Sequence, residues 1–457
     1  MTAFRAILAI CALTCSMSGA STRSAKSGWI QVHLKGTPRE IGRQHGRLLA
    51  AEIADGLKAI QVVILHDTKK DWDFYRRAGR DILWPKVEAE YREEMEGIAE
   101  GLKTRGSTLD IWDIVALNGW MELAWYYVPE LNKQQGISAP SGPAAPEHCS
   151  AFIATGSYTR DRKIVIAHNA WVDFAIGERW NIVFDIQPAK GERMIMDGYP
   201  GLIHSGDDFG INSAGIVVSE TTISAFEGFD VHGIPEFVRA RKSLQYAKSI
   251  DDVVRILKDG NNGGYANTWL IGDNKTNEIA RLELGLKNVT LERSSDGYFA
   301  GSNFPINPKL IAEEAKEFDP KDLSTSATAR RVRWDQLFKA NKGQIDLKVA
   351  EAFMADSFDT FDNKTDPNER TLCGRIDLSP RGSRGWQPPF GPTGAVQNKS
   401  ADSSLIAKMA LRAAYGPQCG PSFRAAPFLK AHPEFAYQKD ILRDMPSKGW
   451  FEFKISH

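Results

Sequence analysis

The chain has 457 residues, of which 42% are hydrophobic and 25% charged, and Lys+Arg and Asp+Glu stand equal at 57 each. That length and composition support a large buried core, and the balance of charge excludes recruitment of nucleic acid or anionic membrane by a global field. Any lipid contact is therefore local.

The first twenty residues, MTAFRAILAICALTCSMSGA, set Arg5 before an apolar run and end in small residues. The pattern predicts a signal peptide over 1–20, too short for a membrane span, and no later stretch is apolar enough to span. Its removal leaves 56 basic residues against 57 acidic ones, a net charge of −1. The expected mature protein is secreted, periplasmic or lysosomal, with no transmembrane span and no nucleic-acid partner.

Residues 21–130 read as a helical N-terminal segment. EIGRQHGRLLAAEIADGLKAIQVVI carries Ile41, Leu48, Leu49, Ile53, Leu57 and Ile60 at helical spacing. LWPKVEAEYREEMEGIAEGLKTRG and the aromatic-rich TLDIWDIVALNGWMELAWYYV continue the helical pattern. The aromatic stripe in WMELAWYYV suits either core packing or the wall of an acyl pocket. Residues 131–148 lack periodicity and are turn-rich, as expected of a linker or pro-segment. The character changes at Cys149. CSAFIATG and KIVIAHNAW, joined by a polar turn, predict a β-hairpin. Further strands are expected in RWNIVFDIQPA, ERMIMDGYPG, GINSAGIVVSETTI, NTWLIGDNKTNEIARLELG and VTLERSSDGYFAGSN. Helices are expected in PEFVRARKSLQYAKSIDDVVRILKDG, ATARRVRWDQLFKANKG and SLIAKMALRAAYG. Strands in the middle with helices before and after predict an α+β layered fold with mainly antiparallel sheets, and 149–457 as the catalytic core.

Several chemistries find no support. His-Glu-x-x-His, Cys-x-x-Cys and calcium-loop patterns are missing, so neither metal nor cofactor is expected. GINSAG has one residue too many between Gly210 and Ser213 for a nucleophile elbow. Asp207 and Asp208 are neighbours beside a glycine, a pattern more typical of a turn than of an acid/base pair.

The cysteines say more. Five, less Cys11 and Cys15 of the leader, leave Cys149, Cys373 and Cys419. An odd count in an exported protein suggests one pair and one free thiol. Cys373 and Cys419 lie in the C-terminal third and are candidates for a disulfide. Cys149 then remains, at the seam between linker and strand. A thiol needs a base, either a histidine such as His168 or the residue's own α-amine, with an ordinary pKa of about 7.7–8.0. The second arrangement requires a cut between His148 and Cys149, which explains the seam.

Residues 148 onward carry an ordered series: HCSAFIATG, IVIAHNAW, SGDDFG, SETTI, YANTW, GSNFP, RVRWDQ and GRIDLSP. This series resembles the phospholipase B-like proteins. VHLKGTPREIGRQHG and EEMEGIAEG, further upstream, look like the acyl-CoA:isopenicillin N acyltransferase relatives. Both resemblances imply an N-terminal-nucleophile (Ntn) hydrolase: a four-layer αββα sandwich, autocatalytic cleavage, and two self-derived chains acting on a lipid or other acyl substrate. By resemblance Cys149 is the nucleophile and new N-terminus, and Asn267 holds the oxyanion. His168, Trp171, Thr221 and Thr222 line the substrate pocket, and Arg333 is the pocket arginine, with Arg281 its rival. Trp171 and Trp269 also suit plain core packing. The expected function is cleavage of acyl ester or amide bonds, foremost the removal of fatty acyl chains from lipids. An amidase or acyltransferase on small N-acyl compounds, or an inactive lipid-binding relative, stand as alternatives.

Overall fold

A computed structural model describes residues 21–137, 149–206, 209–379 and 391–456. The leader, His148, and the pair Asp207–Asp208 lie outside these residues. In chain order the strands are β1 (Thr22–Lys26), β2 (Trp29–Gly36), β3 (Cys149–Thr155), β4 (Val165–Asp173), β5 (Ile182–Pro188), β6 (Met194–Gly198), β7 (Phe209–Asn212) and β8 (Ile216–Thr222). They continue with β9 (Asn267–Asp273), β10 (Glu278–Leu284), β11 (Val289–Ser294), β12 (Gly297–Gly301), β13 (Phe358–Asp359), β14 (Lys364–Thr365), β15 (Thr393–Asp402), β16 (Ala410–Tyr415) and β17 (Trp450–Lys454).

Two sheets form the centre. One has nine strands in the order β1-β2-β5-β6-β7-β8-β9-β10-β11; the other has six, β12-β3-β4-β15-β16-β17. Every pairing within them is antiparallel except β2 with β5. The sheets pack face to face: a side chain at Gly272 on β9 would meet Ile153 of β3. Helices cover both outer faces. Glu236–Tyr246 and Ile250–Lys258 lie on the larger sheet, and Ser326–Ala340 and Leu347–Met354 on the smaller. The result is a mixed α+β fold in four layers, αββα, with mainly antiparallel sheets.

Two sequence expectations give way. Residues 22–36 are strands rather than helix, because WIQVHLKG buries Trp29, Val32 and Leu34 beside β5. SLIAKMALRAAYG is a short helix, Ser403–Ala407, followed by β16, with Met409 in the left-handed region at φ 51°. Cross-strand pairing with β15 outweighs its helical periodicity. The segment after residue 130 begins as part of the helix Val128–Gln134.

The glycines of GRQHG and EGIAEG have a packing role. The helices Pro38–Leu48 and Ala89–Lys103 touch backbone to backbone. A Cβ on Gly42 would lie 1.9 Å from the Glu94 carbonyl oxygen, and one on Gly97 2.4 Å from that of Arg39. Cys373 and Cys419 are joined by a disulfide, and Cys149 is the described cysteine that no disulfide takes up. No helix among the described residues is long and apolar enough to cross a membrane.

Candidate active site

The hairpin β3–β4 sets the site. Cys149 pairs with Ala170, Ser150 with Asn169, and Ala151 with His168. Side chains alternate along a strand. Cys149, Ala151 and Ile153 therefore share one face with His168 and Ala170, toward the larger sheet. Ser150 and Phe152 share the other with Asn169 and Trp171, toward the helices; Phe152 accordingly packs on Trp334, Phe338 and Phe353 with ring centroids 5.4–5.6 Å apart.

On the inner face, the Cys149 thiol, the His168 imidazole and the Glu220 carboxylate of β8 converge. One sulfur, nitrogen or oxygen atom from each lies within 4.8 Å of the other two. Their relative exposures are 1%, 0% and 0%. Burial, reinforced by the charge of Lys399, holds the imidazole well below its ordinary range, opposed by a hydrogen bond to the backbone of Glu220. Lys399 stands directly across from His168 on β15, and its ammonium pairs with Asp197 at 3.2 Å and donates to Gln397 Oε1 at 2.7 Å. The Tyr265 hydroxyl donates to Glu220 Oε1 at 3.3 Å.

On the outer face, Arg330 of the helix Ser326–Ala340 reaches the backbone of the nucleophile candidate. Its guanidinium donates to the Cys149 carbonyl oxygen, to Ser150 Oγ at 3.3 Å and to Asn303 Oδ1 at 2.9 Å, and lies 4.2 Å over the Trp171 ring. Trp171 Nε1 donates to Asn169 Oδ1 at 2.9 Å, and the same oxygen accepts the Ser150 N–H at 3.0 Å. Asn303 completes the clamp. Its Oδ1 accepts the Cys149 N–H at 3.3 Å, and its Nδ2 donates to the Thr222 carbonyl at 2.8 Å.

Thr222 pairs across β8–β9 with Asn267, and Thr221 with Thr268. The Asn267 carboxamide and the Thr221 and Thr222 hydroxyls are buried with no hydrogen-bond partner among the described residues. Unmatched buried polar groups are costly, and a polar ligand that reached them would relieve that cost. Thr221 Oγ1 also fixes Gly301: a Cβ there would lie 2.4 Å from it.

Cys149, His168, Glu220, Trp171, Asn303 and Arg330 thus belong to one connected region, which the backbone carbonyl of Thr222 joins through Asn303. Arg333 does not: its guanidinium is held by Asp356 at 2.7 Å and lies 4.6 Å over Phe358. Arg281 pairs with Glu292 on the neighbouring strand. The arginine at Cys149 is Arg330, which sequence reading missed, as it missed Asn303 and Glu220. A signal for Arg330 existed: Ser326, Arg330, Trp334 and Phe338 recur every four residues and form the buried stripe of their helix.

A family model for Phospholipase B matches residues 66–454. Phospholipase B of Crotalus adamanteus is 25% identical over 420 residues, 84% of this chain and 71% of that one. An uncharacterized protein of Archaeoglobus fulgidus is 26% identical over 260 residues, 55% of this chain and 42% of its own length. Among solved structures, a mutant of conjugated bile acid hydrolase from Clostridium perfringens aligns with a TM-score of 0.34 and 13% identity, over 58% of this chain and 89% of that one. The alignment thus spans less than half of the archaeal protein and about 71% of the snake one. The Phospholipase B match covers most of the sequence and encloses Cys149, His168, Glu220, Asn267, Asn303 and Arg330 alike; the chain belongs to the phospholipase B family.

Proposed function

We propose that the protein is an exported N-terminal-nucleophile cysteine hydrolase that removes fatty acyl groups from lipids once the chain is cut between His148 and Cys149. The observation that carries this reading is the placement of Cys149: first residue of a buried strand, its nitrogen held by Asn303 and its carbonyl by Arg330. A nucleophile whose own amine is the base needs that nitrogen fixed relative to its sulfur.

In this mechanism the Cys149 sulfur attacks the acyl carbonyl while its proton passes to the α-amine. Asn267, with the Thr222 hydroxyl beside it, receives the oxyanion. The alcohol or amine leaves with that proton, giving a thioester. Water, relieved of a proton by the same amine, then attacks the thioester, releasing the fatty acid and restoring the thiol. A preorganised oxyanion donor of this kind contributes about 3–4 kcal/mol of transition-state stabilisation. His168 lines the inner face of the pocket, and Trp171 braces Arg330 from the other side. Membership of the phospholipase B family supports the acyl-lipid substrate.

The test is intact mass together with fatty-acid release from phosphatidylcholine and from N-acyl amides. Two chains divided at His148–Cys149, with faster release from the phospholipid, are expected. An uncut chain with full activity sinks the mechanism; preference for the amides makes the protein an amidase; lipid binding without turnover makes it an inactive relative.

A further inference from the structure

We infer that the cut protein carries an inhibitory site for a borderline-soft divalent cation, zinc or cobalt(II), formed by Cys149, His168 and Glu220. The inference rests on the cut proposed above.

Three kinds of ligand atom meet here: a thiol sulfur, an imidazole nitrogen and a carboxylate oxygen, all within 4.8 Å of one another. Around a tetrahedral zinc ion such atoms stand about 3.5 Å apart, so side-chain rotations of roughly 1 Å close the set. The ligands sit on β3, β4 and β8, strands of two sheets packed on each other, so the backbone holds them together without help from a loop. Mixed sulfur, nitrogen and oxygen donors select zinc or cobalt over magnesium or calcium, which prefer oxygen alone.

One ligand of the set is oriented from outside it: the Glu220 carboxylate accepts from the Tyr265 hydroxyl on Oε1, as carboxylates that bind a metal are usually held.

Cutting adds a fourth donor. In the uncut chain the Cys149 nitrogen is an amide and cannot bind a cation. After the cut it is an amine, two carbons away from its own sulfur, and the two close a five-membered ring around one ion. The set becomes one sulfur, two nitrogens and one oxygen. Binding displaces the thiol proton, with no change of oxidation state, and occupies both the nucleophile and its base. Activation and sensitivity to the cation therefore arise in the same step.

The experiment titrates cobalt(II) chloride into cut, metal-stripped wild-type protein and records the sulfur-to-cobalt charge-transfer absorption. The same preparation is assayed for fatty-acid release with added zinc, then with a chelator. Expected are one cobalt per chain, inhibition by zinc at equal stoichiometry, and recovery with the chelator. Glu220→Gln, checked for native circular dichroism, is expected to bind cobalt about tenfold more weakly or worse. A cut, active protein that shows no charge-transfer band with millimolar cobalt overturns the cation site and leaves the hydrolase reading standing. A protein that is neither cut nor active removes both. Wild-type binding that Glu220→Gln leaves unchanged in a folded variant overturns the assignment of Glu220.

Discussion

Asn303 and Arg330 meet at a single oxygen: Asn303 Oδ1 accepts from the Arg330 guanidinium at 2.9 Å and from the Cys149 nitrogen at 3.3 Å. Arg330 also donates to the Cys149 carbonyl. The residue at the start of β3 is thus held at both ends of its backbone, by groups 154 and 181 positions further along the chain.

Arg330→Met is expected to lower fatty-acid release by about a hundredfold or more, because it removes a charge-assisted bond to Cys149 and leaves buried acceptors unmatched. Arg333→Ala is expected to retain turnover, since its partner is Asp356, and to lose about 1–3 kcal/mol of stability, because the pair is two-pronged and largely buried. Equal losses of turnover in the two variants would return the pocket role to Arg333.

Asn303→Ala and Asn267→Ala are expected to fail differently. The first releases the nitrogen of the proposed nucleophile and should impair both cutting and turnover. The second removes the proposed oxyanion donor and should reduce kcat by about 10²–10³ with little effect on substrate binding. Intact mass and steady-state kinetics on the two variants separate these roles; matching kinetic profiles would contradict the assignment.

Stability is expected to fall on acidification below about pH 6.5. His45 and His204 are buried acceptors: His45 Nε2 takes the Gly201 N–H at 3.0 Å, and His204 Nδ1 that of Gly206 at 3.1 Å. Burial holds their imidazoles down at about 3 and about 4. Between these values and about 6.5 the unfolded chain binds more protons than the folded one, so stability is complete above 6.5 and lost as pH falls. The loss is on the order of 2–3 kcal/mol per histidine at pH 4. His45→Gln keeps an acceptor for Gly201, and its urea midpoint should vary less between pH 7 and 4 than that of wild type. An unchanged slope counts against the role of His45.

Gly42→Ala is expected to destabilise despite the better helix propensity of alanine, worth about 1 kcal/mol. Its Cβ would lie 1.9 Å from the backbone oxygen of Glu94, which no rotamer relieves. Forcing the helices apart costs roughly 3 kcal/mol or more. A thermal midpoint at or above that of wild type would show that the two helices separate freely.

The double variant Cys373→Ser/Cys419→Ser removes the closure of a loop spanning 46 positions. A loss of about 4 kcal/mol is expected from chain entropy. Arg375 spans the same region, donating to the Cys419 and Pro421 carbonyls at 2.7 Å, so the local geometry should persist. Urea denaturation checks the loss; no shift would mean the bridge contributes nothing.

What could be read in advance follows the range of the interactions. The hairpin at Cys149 was legible because alternation and a polar turn lie within twenty-five residues. β2 was not, because its place depends on parallel pairing with β5, about 150 positions later. In RVRWDQ the eye falls on Arg333, yet helical phase turns Arg330 inward with Trp334. Nothing in GSNFP singles out Asn303. Its role depends on a φ of +69°, which asparagine tolerates, and on a carboxamide that joins β3 to β8. Nothing in SETTI distinguishes Glu220, since only the packing of two sheets brings it to His168.

The strands before the proposed cut have a consequence for the product. β1 and β2 are woven into the nine-stranded sheet through β5, and the helices they precede contribute Ile53, Leu57, Ile60 and Ile98 to the common core. Severing one peptide bond at residue 148 leaves every one of those contacts in place. The two pieces are expected to migrate apart only in denaturant and to travel as one particle in native mass spectrometry. On the proposed cut, the earlier piece would stay a permanent subunit of the molecule it once preceded.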